Sequence, residues 1–392
     1  MKLSRYFLLL FSVVLITACG DDDNTEPPAE LTEFTQTHYL ALQWSVSTDD
    51  SIEQQYLFIE PLLLKDRIVT AGRNGRLNVY ELEDGDELAD IKLDIPLSGG
   101  VGGSEDVWLV GSRNGELIAV SSSGEDILWR TRVPSEILAR PVVYNRNIVL
   151  VRTADGQILG VDMKPGKINW NYSKTIPALT LRGSSSPIMS RSHFYTGLES
   201  GRLIAMSPID GEVAWDMALT VPEGRSEIQR LVDIDGKSEL YGRVLYAASY
   251  HGRIAAIDVT RGQILWARPF SSNTGVSVGT DAVYSSDDRS HIWALDRNNG
   301  ATLWKQDKLQ ARSITRPVIY KDFLVVGDVE GYVHVMSRFD GHFVARTRVD
   351  SDGILVPPIV DGDRLLVLTR SGYLAAFTID ESAVYTDEEL FD

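Results

Sequence analysis

A glycine followed fourteen residues later by a tryptophan recurs along this chain of 392 residues, and this repeat limits the possible folds more than any other feature. Four copies keep both residues: Gly115/Trp129, Gly156/Trp170, Gly201/Trp215 and Gly252/Trp266. Four further copies are incomplete: Gly75, Ser290/Trp304, Gly331 and Gly372. Successive copies are 38 to 45 residues apart, except for one step of 51 residues. Self-similarity at about 40 residues indicates an array of units that stack on each other to bury a common core.

Each repeat consists of short β-rich runs joined by tight turns. Asn114-Gly115 and Ser200-Gly201 lie between apolar runs, and a glycine in such a turn supplies the positive φ that a tight hairpin requires. A second turn, such as Asp210-Gly211, leads into the strand that carries the tryptophan, and a further strand lies upstream of each hairpin. Four strands per repeat, with almost no helical periodicity, predict the blades of an all-β fold, the β-propeller. At this position the tryptophan is expected to pack between neighbouring blades and to satisfy its indole N–H nearby.

The number of copies predicts an eight-bladed β-propeller of four-stranded antiparallel blades, with seven blades as the alternative. No tryptophan strand follows the last copy at Gly372, whereas Leu42-Gln43-Trp44 near the N-terminus matches the missing strand. We therefore expect the N-terminal strand to complete the last blade and close the ring, which hides an exposed sheet edge. The propeller is expected to cover residues 39–380, and residues 381–392 to form an acidic tail.

Bulk composition favours a folded protein that does not bind nucleic acid. Hydrophobic residues make up 43% of the chain and charged residues 24%, which is ordinary for a globular protein. The net charge is −17, whereas binding to phosphate backbones requires a basic surface.

The N-terminus resembles the export signal of bacterial lipoproteins. Lys2 and Arg5 precede an apolar stretch that is too short to span a bilayer stably, and the stretch ends in Ala18-Cys19-Gly20, which holds the only cysteine of the chain. By this resemblance residues 1–18 are a lipoprotein signal peptide, Cys19 is lipidated, and residues 19–38 form a flexible tether. Gly20 rather than aspartate after the cysteine favours retention at the outer membrane, facing the periplasm. An ordinary signal peptide with a chance cysteine is the alternative.

Motifs for catalysis or metal binding are not recognisable in the sequence. The histidines show no metal-ligand spacing, Gly236-Lys237-Ser238 lacks the first glycine of a P-loop, and Asp233-Ile234-Asp235 lacks the later ligands of an EF-hand. The Ala-x-Asp…Gly…Trp pattern at Ala256 to Trp266 resembles the repeats of pyrroloquinoline-quinone dehydrogenases. Many of those enzymes carry paired cysteines near the cofactor, which this chain lacks. We therefore expect no enzyme activity, no cofactor and no metal, with a quinoprotein dehydrogenase or a periplasmic ligand-binding propeller as alternatives.

A second resemblance covers nearly the whole chain after Cys19. The lipoprotein signal, the eight repeats and the stretches Leu179-Thr-Leu-Arg-Gly183 and Ser226 to Asp235 resemble the BamB family, the propeller lipoproteins of the β-barrel assembly machinery in Gram-negative outer membranes. The resemblance implies a scaffold that binds the POTRA domains of BamA, the barrel-inserting subunit, and other subunits, with unfolded outer-membrane proteins as further partners. Carried over by motif, the residues that bind BamA are Leu179, Leu181, Arg182, Asp233 and Asp235.

The position of these residues in the repeat is consistent with an interaction surface. Asp233 and Asp235 lie in the overlong step between Gly201 and Gly252, and insertions in propellers fall in loops on one face, often the binding face. Leu179 and Leu181 lie in a connection, where exposed apolar anchors beside an arginine could form a compact docking patch. The alternative is that both leucines belong to the core between blades and both aspartates are ordinary loop carboxylates. Gly236-Lys237-Ser238 stands where relatives often have Thr-Thr-Pro, so the end of this loop is expected to differ in shape.

Overall fold

The computed structural model describes residues 26–48, 59–124, 126–175, 177, 179–180, 185–226 and 228–381. Within these ranges the chain forms 32 β-strands and no helix, arranged as eight four-stranded antiparallel sheets. No helix capable of crossing a membrane occurs in these ranges. The sheets are the blades of an eight-bladed β-propeller, so the predicted fold and number of blades are confirmed, and seven blades are excluded.

Each blade contains four strands, named A to D from the axis of the ring outward. Blade 1 consists of β2 (Leu62–Leu63), β3 (Arg67–Ala71), β4 (Arg76–Glu81) and β5 (Glu87–Lys92). Blade 2 consists of β6 (Gly102–Gly103), β7 (Val107–Gly111), β8 (Glu116–Ser121) and β9 (Ile127–Arg132). Blade 3 consists of β10 (Val142–Tyr144), β11 (Ile148–Arg152), β12 (Gln157–Asp162) and β13 (Ile168–Ser173). Blade 4 consists of β14 (Ile188–Met189), β15 (Phe194–Leu198), β16 (Arg202–Met206) and β17 (Val213–Ala218). Blade 5 consists of β18 (Glu239–Tyr241), β19 (Val244–Ala248), β20 (Gly252–Asp258) and β21 (Gln263–Phe270). Blade 6 consists of β22 (Val276–Val278), β23 (Ala282–Ser286), β24 (Ile292–Asp296) and β25 (Thr302–Gln306). Blade 7 consists of β26 (Val318–Tyr320), β27 (Phe323–Gly327), β28 (Tyr332–Ser337) and β29 (Phe343–Arg348). Blade 8 consists of β30 (Ile359–Asp361), β31 (Arg364–Leu368), β32 (Tyr373–Glu381) and β1 (His38–Ser47).

The ring is closed by the N-terminal strand. β1 pairs antiparallel with β32 from His38/Glu381 to Ser47/Tyr373 and is the outermost strand of blade 8, as the isolated Trp44 predicted. Contacts between the first strands of neighbouring blades, such as β18 with β22, place these A strands around the axis. Because the two termini share one sheet, separation of β1 would expose the edge of β32 and open the ring.

The repeated tryptophans join six of the eight blades to the next one, since the D strands of blades 1 and 7 carry none. Trp44 of blade 8 donates its indole N–H to the carbonyl of Leu82 in blade 1 over 3.0 Å, and Trp129 of blade 2 donates to Met163 in blade 3 over 2.6 Å. The other four indoles make the same bond to the following blade: Trp170 to Pro208, Trp215 to Val259, Trp266 to Arg297 and Trp304 to Arg338. The tryptophans thus have the structural role that the repeat predicted.

A glycine in the C–D turn of the next blade receives each of these indoles. At Gly85 and Gly300 φ is +80° and +74°, and a Cβ atom there would lie 2.5 Å from the ring of Trp44 or Trp266. Any larger residue would therefore clash with the indole and strain the turn. The B–C turns also use positive φ, but blades 5 and 6 differ from the rest, because His251 and Ser290 take the left-handed conformation there, with φ of 49° and 67°.

The hydrophobic core lies mainly between neighbouring blades. One cluster joins Leu117 and Ala119 of blade 2 to Val149 and Leu159 of blade 3, and the equivalent contact between blades 7 and 8 includes Val335 and Val367. A single blade would leave both of its faces exposed, so no unit of the repeat is expected to fold alone.

Residues 26–37, which the sequence assigned to the tether, lie along blade 7. The N–H groups of Ala29 and Thr37 donate to the carbonyls of Gln310 and Val344 over 3.0 Å, and Phe34 stacks on Phe343 with 5.5 Å between ring centroids. Beneath this segment lies the Arg312 cluster, which consists of Arg312, Asp328, Glu330 and His334. Its guanidinium binds Asp328 over 2.7 Å, binds Glu330, and donates to the carbonyl of Ala29 over 2.8 Å.

Candidate functional site

The described members of the predicted binding set lie on two successive connections between blades. Leu179 lies in the connection from β13 to β14, and Asp233 and Asp235 lie in the connection from β17 to β18. Because successive strands of a blade are antiparallel, the connections between blades and the B–C turns lie at the same end of the propeller, which we call the connection face. Leu181, Arg182 and Cys19 lie outside the described residues.

A buried group of charges, the Arg152 cluster, joins the two connections. It consists of Arg152 at the end of β11, Glu199 after β15, and Asp233 and Asp235. Arg152 pairs with Glu199 over 2.5 Å, with both side chains almost completely buried, and donates to the carbonyl of Ser185 over 3.3 Å. The hydroxyl of Ser185 in turn donates to the carbonyl of Gly236 over 3.5 Å. The cluster therefore links blades 3 and 4 to the long connection that precedes blade 5.

The Arg152 cluster contains more negative than positive charge. Burial raises the pKa of Asp235 well above its ordinary value, and the charge of Asp233 and a hydrogen bond to it raise it further, whereas Arg152 acts in the opposite direction. The pKa of Arg152 is itself raised, because the charges of Glu199, Asp235 and Asp233 overcome the effect of its burial. One arginine thus stabilises three acidic side chains, and Asp235 favours its protonated form more than an exposed aspartate would.

Asp233 organises the loop from inside and does not present a carboxylate to solvent. Its side chain is fully buried, and its carbonyl accepts a hydrogen bond from the N–H of Tyr250 over 2.8 Å at a single β-bridge. The burial of Asp233 favours a structural role over direct contact with a partner. The cluster to which it belongs nevertheless determines the course of the exposed loop.

Three exposed apolar side chains lie on the two connections. Leu179 is 41% exposed, so it is not part of the core between blades, and Val221 and Ile228 on the long connection are 65% and 69% exposed. Sequence reasoning did not select Val221 or Ile228 as site residues. In the sequence, each of them is recognisable as an apolar residue within a polar insertion of a propeller, where no β-strand pattern accounts for its presence.

The end of the long connection runs beside the start of blade 6. Lys237 forms a parallel β-bridge with Gly275, and a Cβ atom on Gly236 would lie 2.2 Å from the nitrogen of Gly275. The close approach of two backbones explains why glycine occupies both positions. This packing directs the side chain of Lys237 into the central channel.

Among the described residues, no group of His, Cys, Asp or Glu side chains has an arrangement that could hold a metal ion. The features that could bind something are the apolar side chains of the connection face and the lining of the central channel. The fold and these surfaces define the class of the protein as an eight-bladed propeller of the quinoprotein repeat type, with an elaborated connection face.

Comparison with known proteins identifies the family. A family model described as outer membrane protein assembly factor BamB matches residues 73–306 and 299–384. The BamB protein of Pseudomonas aeruginosa is 39% identical over 376 residues, which cover 96% of this chain and 99% of that protein. The BamB protein of Shewanella oneidensis is 32% identical and covers 94% of this chain and 96% of its own length. The chain belongs to the BamB family, as its sequence motifs predicted.

Solved structures agree with this assignment. The crystal structure of BamB from Moraxella catarrhalis matches 86% of this chain and 99% of its own, with a TM-score of 0.79 and 27% identity. A quinohemoprotein alcohol dehydrogenase from Pseudomonas putida matches with a TM-score of 0.67 at 13% identity, which is a likeness of fold alone. The quinoprotein alternative is thus the more distant of the two resemblances.

Proposed function

We propose that this protein is a non-enzymatic scaffold subunit of the machinery that inserts β-barrel proteins into the outer membrane. Family membership supports this function, since relatives across almost the full length are outer membrane protein assembly factors. In this proposal lipidated Cys19 anchors the protein to the outer membrane on the periplasmic side, and the connection face binds the POTRA domains of BamA. Unfolded barrel proteins are further candidate partners.

The observation that carries the docking proposal is the set of exposed apolar side chains on the two connections. Leu179, Val221 and Ile228 lie on two connections that the Arg152 cluster joins to blades 3 and 4. Apolar anchors that need little reorganisation lose little entropy on binding, which is typical of interface hot spots. Asp233 and Asp235 would support this surface from beneath.

A charge reversal at Arg182 tests the docking proposal. The purified mature protein should bind the POTRA domains of BamA, and Arg182→Glu should weaken binding at least tenfold, because an arginine beside apolar anchors is a common hot-spot residue. Arg191→Glu is the matched control: it makes the same change on the A–B turn of blade 4, at the opposite end of the propeller. Equal affinities for the two variants, measured by biolayer interferometry, would rule out docking through this face.

Photo-crosslinking tests the same surface inside cells. A photoreactive residue at Ile228 should capture BamA, whereas one at Phe339 should not, because Phe339 is 62% exposed but lies on a C–D turn at the other end of the ring. Capture from Phe339 alone would place the interface on the opposite face.

Membrane fractionation tests the anchor separately. Wild-type protein should sediment with the outer membrane, and Cys19→Ala should remain in the periplasmic fraction while keeping its affinity for the POTRA domains in solution. Sedimentation of the variant in cells that lack BamA would contradict lipid anchoring through Cys19.

A further inference from the structure

The central channel has an unusual arrangement of charge at the connection face. The A strands surround a cavity of about 390 Å³, a size typical of small-molecule sites. Three cationic side chains, Arg140, Lys237 and Arg316, line it together with two carboxylates, Glu60 and Glu239. In a chain with a net charge of −17, this is a local excess of positive charge.

The position of these cations follows from the repeat. Arg140 and Arg316 each precede a proline at the start of an A strand, and Lys237 occupies the corresponding place before β18. Because the A strands run in the same direction around the ring, residues at their starts converge at one end of the channel. Three blades thus contribute one cation each to the same opening.

These cations lack the carboxylate partners that other buried arginines of this protein have. Arg152 pairs with Glu199, and Arg312 pairs with Asp328. By contrast, no carboxylate oxygen of the described residues lies within 4.0 Å of the charged nitrogens of Arg140, Lys237 or Arg316. Arg316 donates only to neutral oxygens, the hydroxyl of Ser277 and the carbonyl of Pro317.

The carboxylates of the channel do not neutralise this group by direct contact. Glu239 accepts a hydrogen bond from the N–H of Val278 over 3.2 Å, which turns one of its oxygens toward the backbone. The charge of Arg316, followed by burial, lowers the pKa of Lys237, although Glu60 and Glu239 oppose this effect. The charge of Arg316 therefore acts on Lys237 more strongly than either carboxylate does, and an added anion would reduce this repulsion.

We propose that this end of the channel binds a small multivalent oxyanion, a di- or tricarboxylate or a phosphate, through Arg140, Lys237 and Arg316. Guanidinium groups bind carboxylate and phosphate oxygens in pairs, and the ammonium of Lys237 adds a third direction of approach. The cavity is large enough for a compact organic anion, and Val318, Ile359 and Pro358 supply apolar walls. Glu60 and Glu239 would exclude anions that cannot remain distant from them, which favours small ligands.

Calorimetric titration of the full mature protein at low ionic strength tests this site. Citrate, inorganic phosphate and acetate are the three probes. Citrate or phosphate should bind saturably with one ligand per protein, and acetate should bind at least tenfold more weakly, because a single charge contacts fewer of the cations. Preference for citrate would assign the site to carboxylates, and preference for phosphate would assign it to phosphates.

Two variants separate the channel from general charge effects. Lys237→Gln should weaken binding at least tenfold, and Arg140→Gln should do the same if Lys237→Gln perturbs the loop. Lys321→Gln is the matched control, since Lys321 is an exposed lysine paired with Asp363 on an A–B turn at the other end of the ring. Its affinity should equal that of the wild type.

The result that would overturn the proposal is clear-cut. It is overturned if no probe binds saturably up to 10 mM, or if both Lys237→Gln and Arg140→Gln bind like the wild type. The outcome is independent of the docking proposal, because the channel cations and Arg182 are different residues with different readouts.

Discussion

Two buried arginines in this propeller illustrate two different uses of the same chemistry. In the Arg312 cluster, burial raises the pKa of Asp328, but hydrogen bonds from His334, from the N–H of Tyr332 and from Arg312 hold it below its ordinary value. In the Arg152 cluster, Asp235 has a raised pKa because burial and neighbouring acids outweigh one arginine. Together with Arg346, which donates to Nδ1 of His334 over 3.1 Å, the first cluster places two cations beside two carboxylates, whereas the second places one arginine beside three acidic side chains.

The chain segments that cover the two clusters also differ. Residues 26–37 cover the Arg312 cluster and bring Phe34 against Phe343, so this chain supplies its own cap. The long connection that covers the Arg152 cluster leaves Val221 and Ile228 exposed. We infer that a balanced, capped cluster stabilises the fold, and that a cluster with an excess of acidic side chains under an exposed apolar loop supports binding. The following predictions test this contrast, from the largest expected effect to the smallest.

Loss of Arg312 should cause the largest effect. Arg312→Met is expected to reduce the free energy of unfolding by about 3–5 kcal/mol, because it leaves the buried carboxylate of Asp328 without its cation. The measurement is urea unfolding followed by tryptophan fluorescence. Arg364→Met is the matched control at a partly exposed pair with Asp361, 3.6 Å apart, and should cost less than about 1 kcal/mol. Similar losses for the two variants would show that Arg312 contributes no more than a surface ion pair.

Neutralisation of one aspartate in each cluster should have opposite effects. Asp328→Asn is expected to destabilise the protein by roughly 2–3 kcal/mol, since it removes the acceptor of charge-assisted bonds from Arg312 and His334. Asp235→Asn is expected to stabilise it, since it removes a carboxyl group whose ionisation is opposed by burial and by the charge of Asp233. Both values come from urea unfolding at pH 7. If both variants lose stability equally, the two clusters do not differ in charge balance.

The contrast also shows which features the sequence can predict. The eight blades and the closure by Trp44 were predictable, because the repeat is periodic and each tryptophan performs the same contact with the next blade. The burial of Asp233 was not predictable, because it depends on Arg152, a residue two blades earlier with no signal of its own in the repeat. The channel cations were likewise hidden, since their convergence requires the closed ring.

The contribution of each covering segment to stability can be compared by removing one of its side chains. Phe34→Ala should destabilise the protein by about 1–2 kcal/mol, because Phe34 stacks on Phe343 and lies 4.9 Å from the guanidinium carbon of Arg346. Ile228→Ala should change stability by less than about 0.5 kcal/mol, because its side chain is largely exposed. Thermal unfolding of both variants checks the difference. A larger loss for Ile228→Ala would mean that this side chain packs into the fold, which would remove it from the docking surface.

The pH dependence of Asp235 gives the smallest and most specific effect. A carboxyl group with a raised pKa in the folded state takes up a proton on folding, so its unfavourable contribution is greatest at high pH and diminishes as the pH falls through the folded pKa toward the ordinary value. The stability gained by Asp235→Asn over the wild type should therefore be largest near pH 8 and should shrink steadily toward pH 5. Unfolding by urea at four pH values measures this difference directly. Asp210→Asn is the control, because hydrogen bonds from Ser207 and Glu212 lower the pKa of exposed Asp210, so its difference from the wild type should stay constant over this range. A constant difference for Asp235→Asn as well would mean that Asp235 is ionised throughout, and that the Arg152 cluster is as balanced as the Arg312 cluster.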